Sequence, residues 1–306
     1  MAGLELSREY YEFCGKDMIK NGFAEYESRI AVGLAGGGSD CFGFDDDISA
    51  DHDSGAGFCL WLTDGDYDKI GFSLARAYAA LPDMPGKPAK AKVLPYGKNH
   101  FGVMRISDFY RTYTGSGGAP ESAAQWLSLP EHSLACAVSG EVFRDDLGEF
   151  TAIREKIKTG MPRDVYLKKL SLRVIEMAQS GQYNFARCLK HGEKGAAALA
   201  LAKFAESCVS FAYLVNSSYA PFYKWALKGM KSFEIFPDLA FELEELLTGE
   251  TGEYQIAKLE KICSDIASYL RKEALSECAD DFLEPHAYEI QAKIKDPSII
   301  SMHIFE

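Results

Sequence analysis

Short apolar runs punctuated by Gly, Pro and Asp fill the chain up to residue 110, and long amphipathic stretches fill it after residue 120. In the first part, residues 7–24 carry Tyr10, Phe13, Cys14, Met18 and Ile19 at helical spacing behind Ser7, a residue type that caps helix N-termini. Three apolar runs read as strands: Arg29–Ala35 (RIAVGLA), Phe58–Leu62 (FCLWL) and His100–Ile106 (HFGVMRI). Between the last two, Tyr67–Leu81 has helical spacing and stops before Pro82, and Pro82–Pro95 is a polar, proline-rich loop. In the second part, helices are predicted over Asp164–Gln179, Gly195–Val215, Leu239–Leu247 and Tyr254–Glu277, with short breaks containing Gly or Pro between them. The outline is α+β. A mixed sheet with helices is expected over residues 1–120 and an all-α domain over residues 121–306, with Gly115–Pro120 (GSGGAP) as a hinge or linker.

Charge adds more to this picture than composition does. The 306 residues are 47% hydrophobic, an ordinary globular balance. Against 33 basic side chains stand 45 acidic ones, a net charge of −12, which argues against a long nucleic acid as partner because phosphate binding needs a positive surface. The eight cysteines are scattered without a CxxC pair, so a structural zinc site has little support, and they read as core thiols of a reducing, cytoplasmic protein. The opening residues, MAGLELSREYYEF, carry charge where a signal peptide needs an apolar run. No uninterrupted apolar stretch approaches the roughly 20 residues of a membrane span, so no membrane partner is expected.

The acidity is concentrated. Asp45, Asp46, Asp47, Asp51 and Asp53 fall within one short segment of LAGGGSDCFGFDDDISADHDSGAGFCLWL, residues 34–62. A dinucleotide fingerprint counted from Gly36 fails at its sixth place, Cys41, and a P-loop fails where Gly43 is followed by Phe44. An EF-hand loop counted from Asp45 has Ala50 where it needs Gly and Ala56 where it needs Glu. A different arrangement fits. In extended chain Asp51 and Asp53 share a face, about 7 Å apart, while His52 points away. Two such carboxylates suit Mg2+, which binds through one or two carboxylates plus substrate phosphate oxygens. The Gly38-Ser39 turn can bring N–H groups and a hydroxyl against a phosphate, because Gly has no Cβ to block the approach. Together these are the minimum equipment for phosphoryl or nucleotidyl transfer.

On Gly38-Ser39 followed by Asp51-His52-Asp53, the chain resembles the polymerase-beta-like nucleotidyltransferase superfamily. The wording GSDCFGFDDDISADHD is more similar still to a family in that superfamily known as domain of unknown function 4037, as are GEVFRDD (140–146), MPRDVYL (161–167), YAPFYKW (219–225) and DDFLEPHA (280–287). The resemblance implies a nucleotidyltransferase-like mixed sheet followed by a helical domain. It implies that Gly38 and Ser39 hold the triphosphate, that Asp51 and Asp53 are the catalytic, metal-holding pair, and that a hydroxyl attacks the α-phosphate as pyrophosphate leaves. The superfamily usually adds a third carboxylate on a later strand. Here the candidate strand HFGVMRIS has no acid before Asp108, which is expected to cap the following helix instead.

A triphosphate also needs cations. Lys224, just past Pro221 at a predicted helix start, and Arg187, between a turn and a long helix, are the candidates for nucleotide binding, and Tyr219, Phe222, Tyr223 and Trp225 can stack on a base or pack between helices. The expected activity is Mg2+-dependent transfer of a nucleoside monophosphate, AMP first among them, from a nucleoside triphosphate to a hydroxyl of an unidentified acceptor: a small molecule, a protein or an RNA. The alternative is a nucleotide-binding or interaction module without turnover, favoured by the missing third carboxylate.

Overall fold

The computed structural model describes residues 3–46, 55–91, 100–249 and 252–306. The first helical stretch is α1 (Gly3–Tyr10), a π turn (Tyr11–Gly15) and α2 (Lys16–Gly22). It begins before Ser7, which is buried inside α1 and caps nothing. The extra residue of the π turn rotates the inward face, so Tyr10, Tyr11, Gly15 and Ile19 are buried while Phe13 is exposed. Next come β1 (Ala31–Leu34), β2 (Cys59–Leu62), α3 (Asp64–Ala79), β3 (Gly102–Arg105) and α4 (Ile106–Thr114). Thr63 caps α3 by accepting from the Asp66 N–H at 3.3 Å, which satisfies one of the helix's orphan donors.

After α5 (Ala123–Ser128) and α6 (Glu131–Val138) the chain forms a fourth strand, β4 (Glu141–Arg144), then α7 (Glu149–Thr159). The sheet order is β3-β2-β1-β4. β2 and β3 run parallel and β1 is antiparallel to both of its neighbours, so the sheet is mixed, as expected. β4 was not legible in GEVFRDD, because only Val142 and Phe143 are apolar and the alternation never develops. Every residue of β1 and β2 is buried, which explains their continuous apolar runs.

Two compact units emerge. The first comprises residues 1–121 and 132–160, and the second residues 122–131 and 161–306. In the first, Trp61 is fully buried and stacks on Phe150 with ring centroids 4.0 Å apart, while Phe109 meets it edge-on at 5.6 Å. Its indole N–H is buried and donates to nothing among the described residues. An unpaired buried donor costs about 1–3 kcal/mol, so Trp61→Phe should destabilise by less than about 1.5 kcal/mol, well below the usual cost of trimming a buried aromatic. Urea unfolding of the two proteins checks this. A loss of 3 kcal/mol or more would mean that the N–H has a partner.

The second unit is helical: α8 (Arg163–Met177), a π stretch (Ala178–Phe185), α9 (Ala186–Lys190), α10 (Lys194–Val215), α11 (Tyr223–Met230), α12 (Leu239–Thr248), α13 (Glu253–Lys272), α14 (Leu283–Ala292) and α15 (Pro297–Ile300). Among the described residues α10 has the length and composition of a membrane-crossing helix, yet more than half of its apolar window is buried. Its inward residues, Phe204, Cys208 and Phe211 among them, pack where α8, the π stretch and α12 meet it. Its polar positions are partnered too. Ser207 donates to Glu176 at 3.0 Å and Ser210 to Glu131 at 2.9 Å, and Arg173 ion-pairs with both of those carboxylates.

Candidate functional site

β1 delivers the chain into a glycine turn that its surroundings hold from several sides. Gly36 and Gly38 have φ of 121° and 133°, in the left-handed region that side chains with a Cβ avoid. The Gly37 N–H donates to the Tyr113 hydroxyl at 3.0 Å, and Tyr113 leans edge-on against Phe109 from the same helix, α4. Burial pushes the Tyr113 phenol up to about 12, so it remains a neutral partner. From below, the Ser139 hydroxyl donates to the Gly36 carbonyl. The Gly140 N–H donates to the Cys41 carbonyl at 2.7 Å. The α6–β4 corner that makes these contacts is fixed by Arg154 of α7, whose guanidinium donates to the carbonyls of Ser139 at 2.8 Å and Gly140 at 2.7 Å.

The turn itself keeps donors unspent. Among the described residues the N–H groups of Gly38 and Ser39 and the Ser39 hydroxyl donate to nothing, while the Ser39 carbonyl accepts from the Phe44 N–H at 2.8 Å. Both residues are half-exposed. Successive N–H groups in a left-handed turn form a concavity with positive potential. Gly38 and Ser39 can therefore receive an anion.

Beside this turn lies a cluster that sequence reading missed. One oxygen of Asp40 accepts from the Cys41 N–H at 2.8 Å, and the other lies 2.9 Å from His100 Nε2. Cys41 Sγ lies 3.9 Å from the same nitrogen. Burial pushes the Asp40 carboxyl up, but the hydrogen bond and charge of His100, with the backbone N–H donors, outweigh it and hold the group below its ordinary range. Burial, then the Asp40 charge, pushes the Cys41 thiol well up. Burial likewise lifts Cys136 to about 11 and Cys59 to about 12, so none of these thiols is a ready nucleophile. No motif joins residues sixty positions apart, which is why only the fold reveals the pairing of Asp40 with His100.

Gly38 is the keystone of this corner. A Cβ there would lie 2.5 Å from Asp40 Oδ1 and 3.2 Å from His100 Cε1, whereas at Gly43, with φ of 68°, it would meet nothing within 4 Å. Gly43→Ala should therefore cost about 1 kcal/mol from backbone strain alone. Gly38→Ala should cost about 2–3 kcal/mol, because the carboxylate must also leave Cys41. Thermal unfolding of the pair isolates the crowding, and equal losses would show that the Asp40–His100 arrangement adjusts freely.

Asp51 and Asp53 lie outside the described residues, as do Asp47 and His52. Asp108 does not cap α4. Arg105 occupies the cap position, and Asp108 sits exposed in the first turn, ion-paired to Arg111 and Arg105. Two cations within a turn of it outcompete the backbone N–H groups for its carboxylate. Lys224 is exposed on α11 with its ammonium 4.3 Å from the Trp225 ring centre, and Arg187 is exposed on α9 over Tyr183 at 4.8 Å. Both belong to the second unit.

Residues 126–226 match the family model described as domain of unknown function (DUF4037). That stretch runs from α5 through the first residues of α11 and contains both Arg187 and Lys224. Among curated proteins none matches the chain significantly. A crystal structure of a nucleotidyltransferase-like protein from Exiguobacterium sibiricum 255-15 is similar at 12% identity, covering 87% of this chain and 81% of that one, with a TM-score of 0.35.

Proposed function

We propose that this protein is a nucleotidyltransferase that moves a nucleoside monophosphate, AMP in the first instance, from a nucleoside triphosphate to a hydroxyl of an acceptor not yet identified. The observation that carries this reading is the glycine turn after β1, with the N–H groups of Gly38 and Ser39 and the Ser39 hydroxyl left to donate to an anion. In the sequence this turn is followed at nucleotidyltransferase spacing by Asp51-His52-Asp53.

The all-oxygen chemistry of two nearby carboxylates supports magnesium at that later pair. Nearer the turn, one Asp45 oxygen accepts from the Gly3 N–H at 2.7 Å. Asp51 and Asp53 would hold the ion, and when bound it supplies positive charge to the triphosphate oxygens. The turn binds and orients the phosphate chain, and Tyr113 and Ser139 keep the turn in the shape that does so. Lys224 and Arg187 are proposed to bind nucleotide. A net charge of −12 sets a long polyanion last among acceptors, behind small molecules, proteins and short RNA.

The test supplies full-length protein with each of the four labelled nucleoside triphosphates, Mg2+ and cell extract. Label transferred to an acceptor with release of pyrophosphate supports the reading. Tight nucleotide binding without transfer across a broad acceptor screen supports a binding module instead. One observation favours that second reading: β3 carries no carboxylate, and the first acid after it, Asp108, is tied to two arginines.

A further inference from the structure

The Asp40–Cys41–His100 cluster has more partners than a metal-free histidine can use. His100 Nε2 bears either one hydrogen or one lone pair, so it serves one hydrogen-bond partner well. Two groups nonetheless converge on it: the Asp40 carboxylate at 2.9 Å and the Cys41 thiol at 3.9 Å. Carboxylate oxygen, thiol sulfur and ring nitrogen all lie within 4.8 Å of one another. Tetrahedral coordination by zinc places O, N and S donors about 3.3–3.6 Å apart, given metal–ligand distances of about 2.0–2.3 Å. The observed separations bracket that range, so small side-chain shifts would admit an ion.

The surroundings suit a cation of this kind. Cys41 is 4% exposed, and the ring of Phe101 packs edge-on against His100. The Cys41 N–H orients Asp40, the outer contact that metal-ligating carboxylates usually have. Gly38 leaves open the space that a side chain would take from the donors. Sulfur and imidazole select zinc-like ions over magnesium, which prefers oxygen alone.

We infer that Asp40, Cys41 and His100 form a binding site for a borderline-soft divalent cation of the zinc class. On binding, Cys41 Sγ forms a bond to the ion and gives up its proton to solvent, His100 binds through Nε2 as the neutral ring, and Asp40 binds as the carboxylate. Three protein ligands leave a fourth tetrahedral position open beside the glycine turn. This site shares no residue with the pair proposed for magnesium, and it stands whether or not the protein transfers nucleotides.

Cobalt(II) titration of the chelator-treated full-length protein provides the test. One equivalent should bind with the near-ultraviolet charge-transfer band of a thiolate–cobalt bond, and zinc should displace it. Cys41→Ser should abolish the band, His100→Gln should weaken binding at least about tenfold, and Cys59→Ser, Cys136→Ser and Asp51→Asn should leave both unchanged. Circular dichroism confirms that each variant is folded, and His100→Gln carries the test if Cys41→Ser is not. Absence of a saturable band in the folded parent overturns the inference, as does a band that survives both Cys41→Ser and His100→Gln.

Discussion

Arg154→Met should lower the stability of the first unit by about 3 kcal/mol, read as a fall of roughly 6–12 °C in its unfolding midpoint. Arg154 is 7% exposed, and its hydrogen bonds go to two carbonyls, those of Ser139 and Gly140. A charge-assisted hydrogen bond contributes about 1.5–3 kcal/mol, so two lost bonds set an upper range of about 3–6 kcal/mol. Against that stands a gain. Burial disfavours the guanidinium cation, lowering its proton affinity, and methionine removes that desolvated charge while keeping most of the apolar stem. The balance leaves about 3 kcal/mol of destabilisation, a large part of the 5–15 kcal/mol that holds a typical domain. Arg154→Lys should recover less than half, because one ammonium cannot span two carbonyls as the planar fork does. Chemical denaturation of the three proteins decides it. Equal stability of the methionine variant and the parent would sink the clamp, whereas equal stability of the lysine variant and the parent would show that charge alone matters.

Asp51→Asn and Asp53→Asn should each reduce nucleotidyl transfer by on the order of 10³, while the protein stays folded. The substitution keeps side-chain shape and removes one negative charge from the pair proposed to hold magnesium. The ion's stabilisation of developing phosphate charge is worth several kcal/mol, and about 4 kcal/mol corresponds to that factor in rate. With the two carboxylates serving one ion, as proposed, the double variant should be little worse than either single one. Asp45→Asn is the control, since an amide oxygen can still accept from the Gly3 N–H and activity should be retained. The rate of pyrophosphate release is the measurement. Parent-like rates in both variants would remove the transferase reading. A loss equally deep in Asp45→Asn would mean that acidity of the whole segment, not this pair, is what matters.

The periodicity of apolar residues made the architecture legible, and it failed where the pattern is thin. β1 and β2 are buried on both faces, so their apolar runs stood out in sequence. α8 and α10 appeared within a residue or two of their bounds, because an amphipathic stripe of that length has no other use. β4 stayed hidden, since a four-residue edge strand with Glu141 and Arg144 at its ends has no alternation to detect. Ser7 looked like a cap because capping preference is local, while the start of α1 is fixed upstream of it. The glycine turn was readable at Gly38-Ser39 because its shape depends on neighbouring residues. Asp40 with His100, and Arg154 beneath the corner, were not, because each pairing exists only once β1, β3 and β4 have come together.

The position of β4 also governs when this fold can be completed. As the chain leaves the ribosome, β1 has its β2 partner early, but its other edge waits for residues 141–144 and the clamp waits for Arg154. At about 5–20 residues per second, synthesis from residue 121 to residue 160 takes roughly 2–8 s. Until residues 141–144 are made, Val32, Gly33 and Leu34 present unpaired backbone on an apolar strand, the kind of edge that recruits other strands. A fragment ending before residue 141 would hold that state permanently. The nascent first unit is therefore most exposed to self-association while the chain is being made through α5, α6 and β4, and it becomes safe only when α7 arrives.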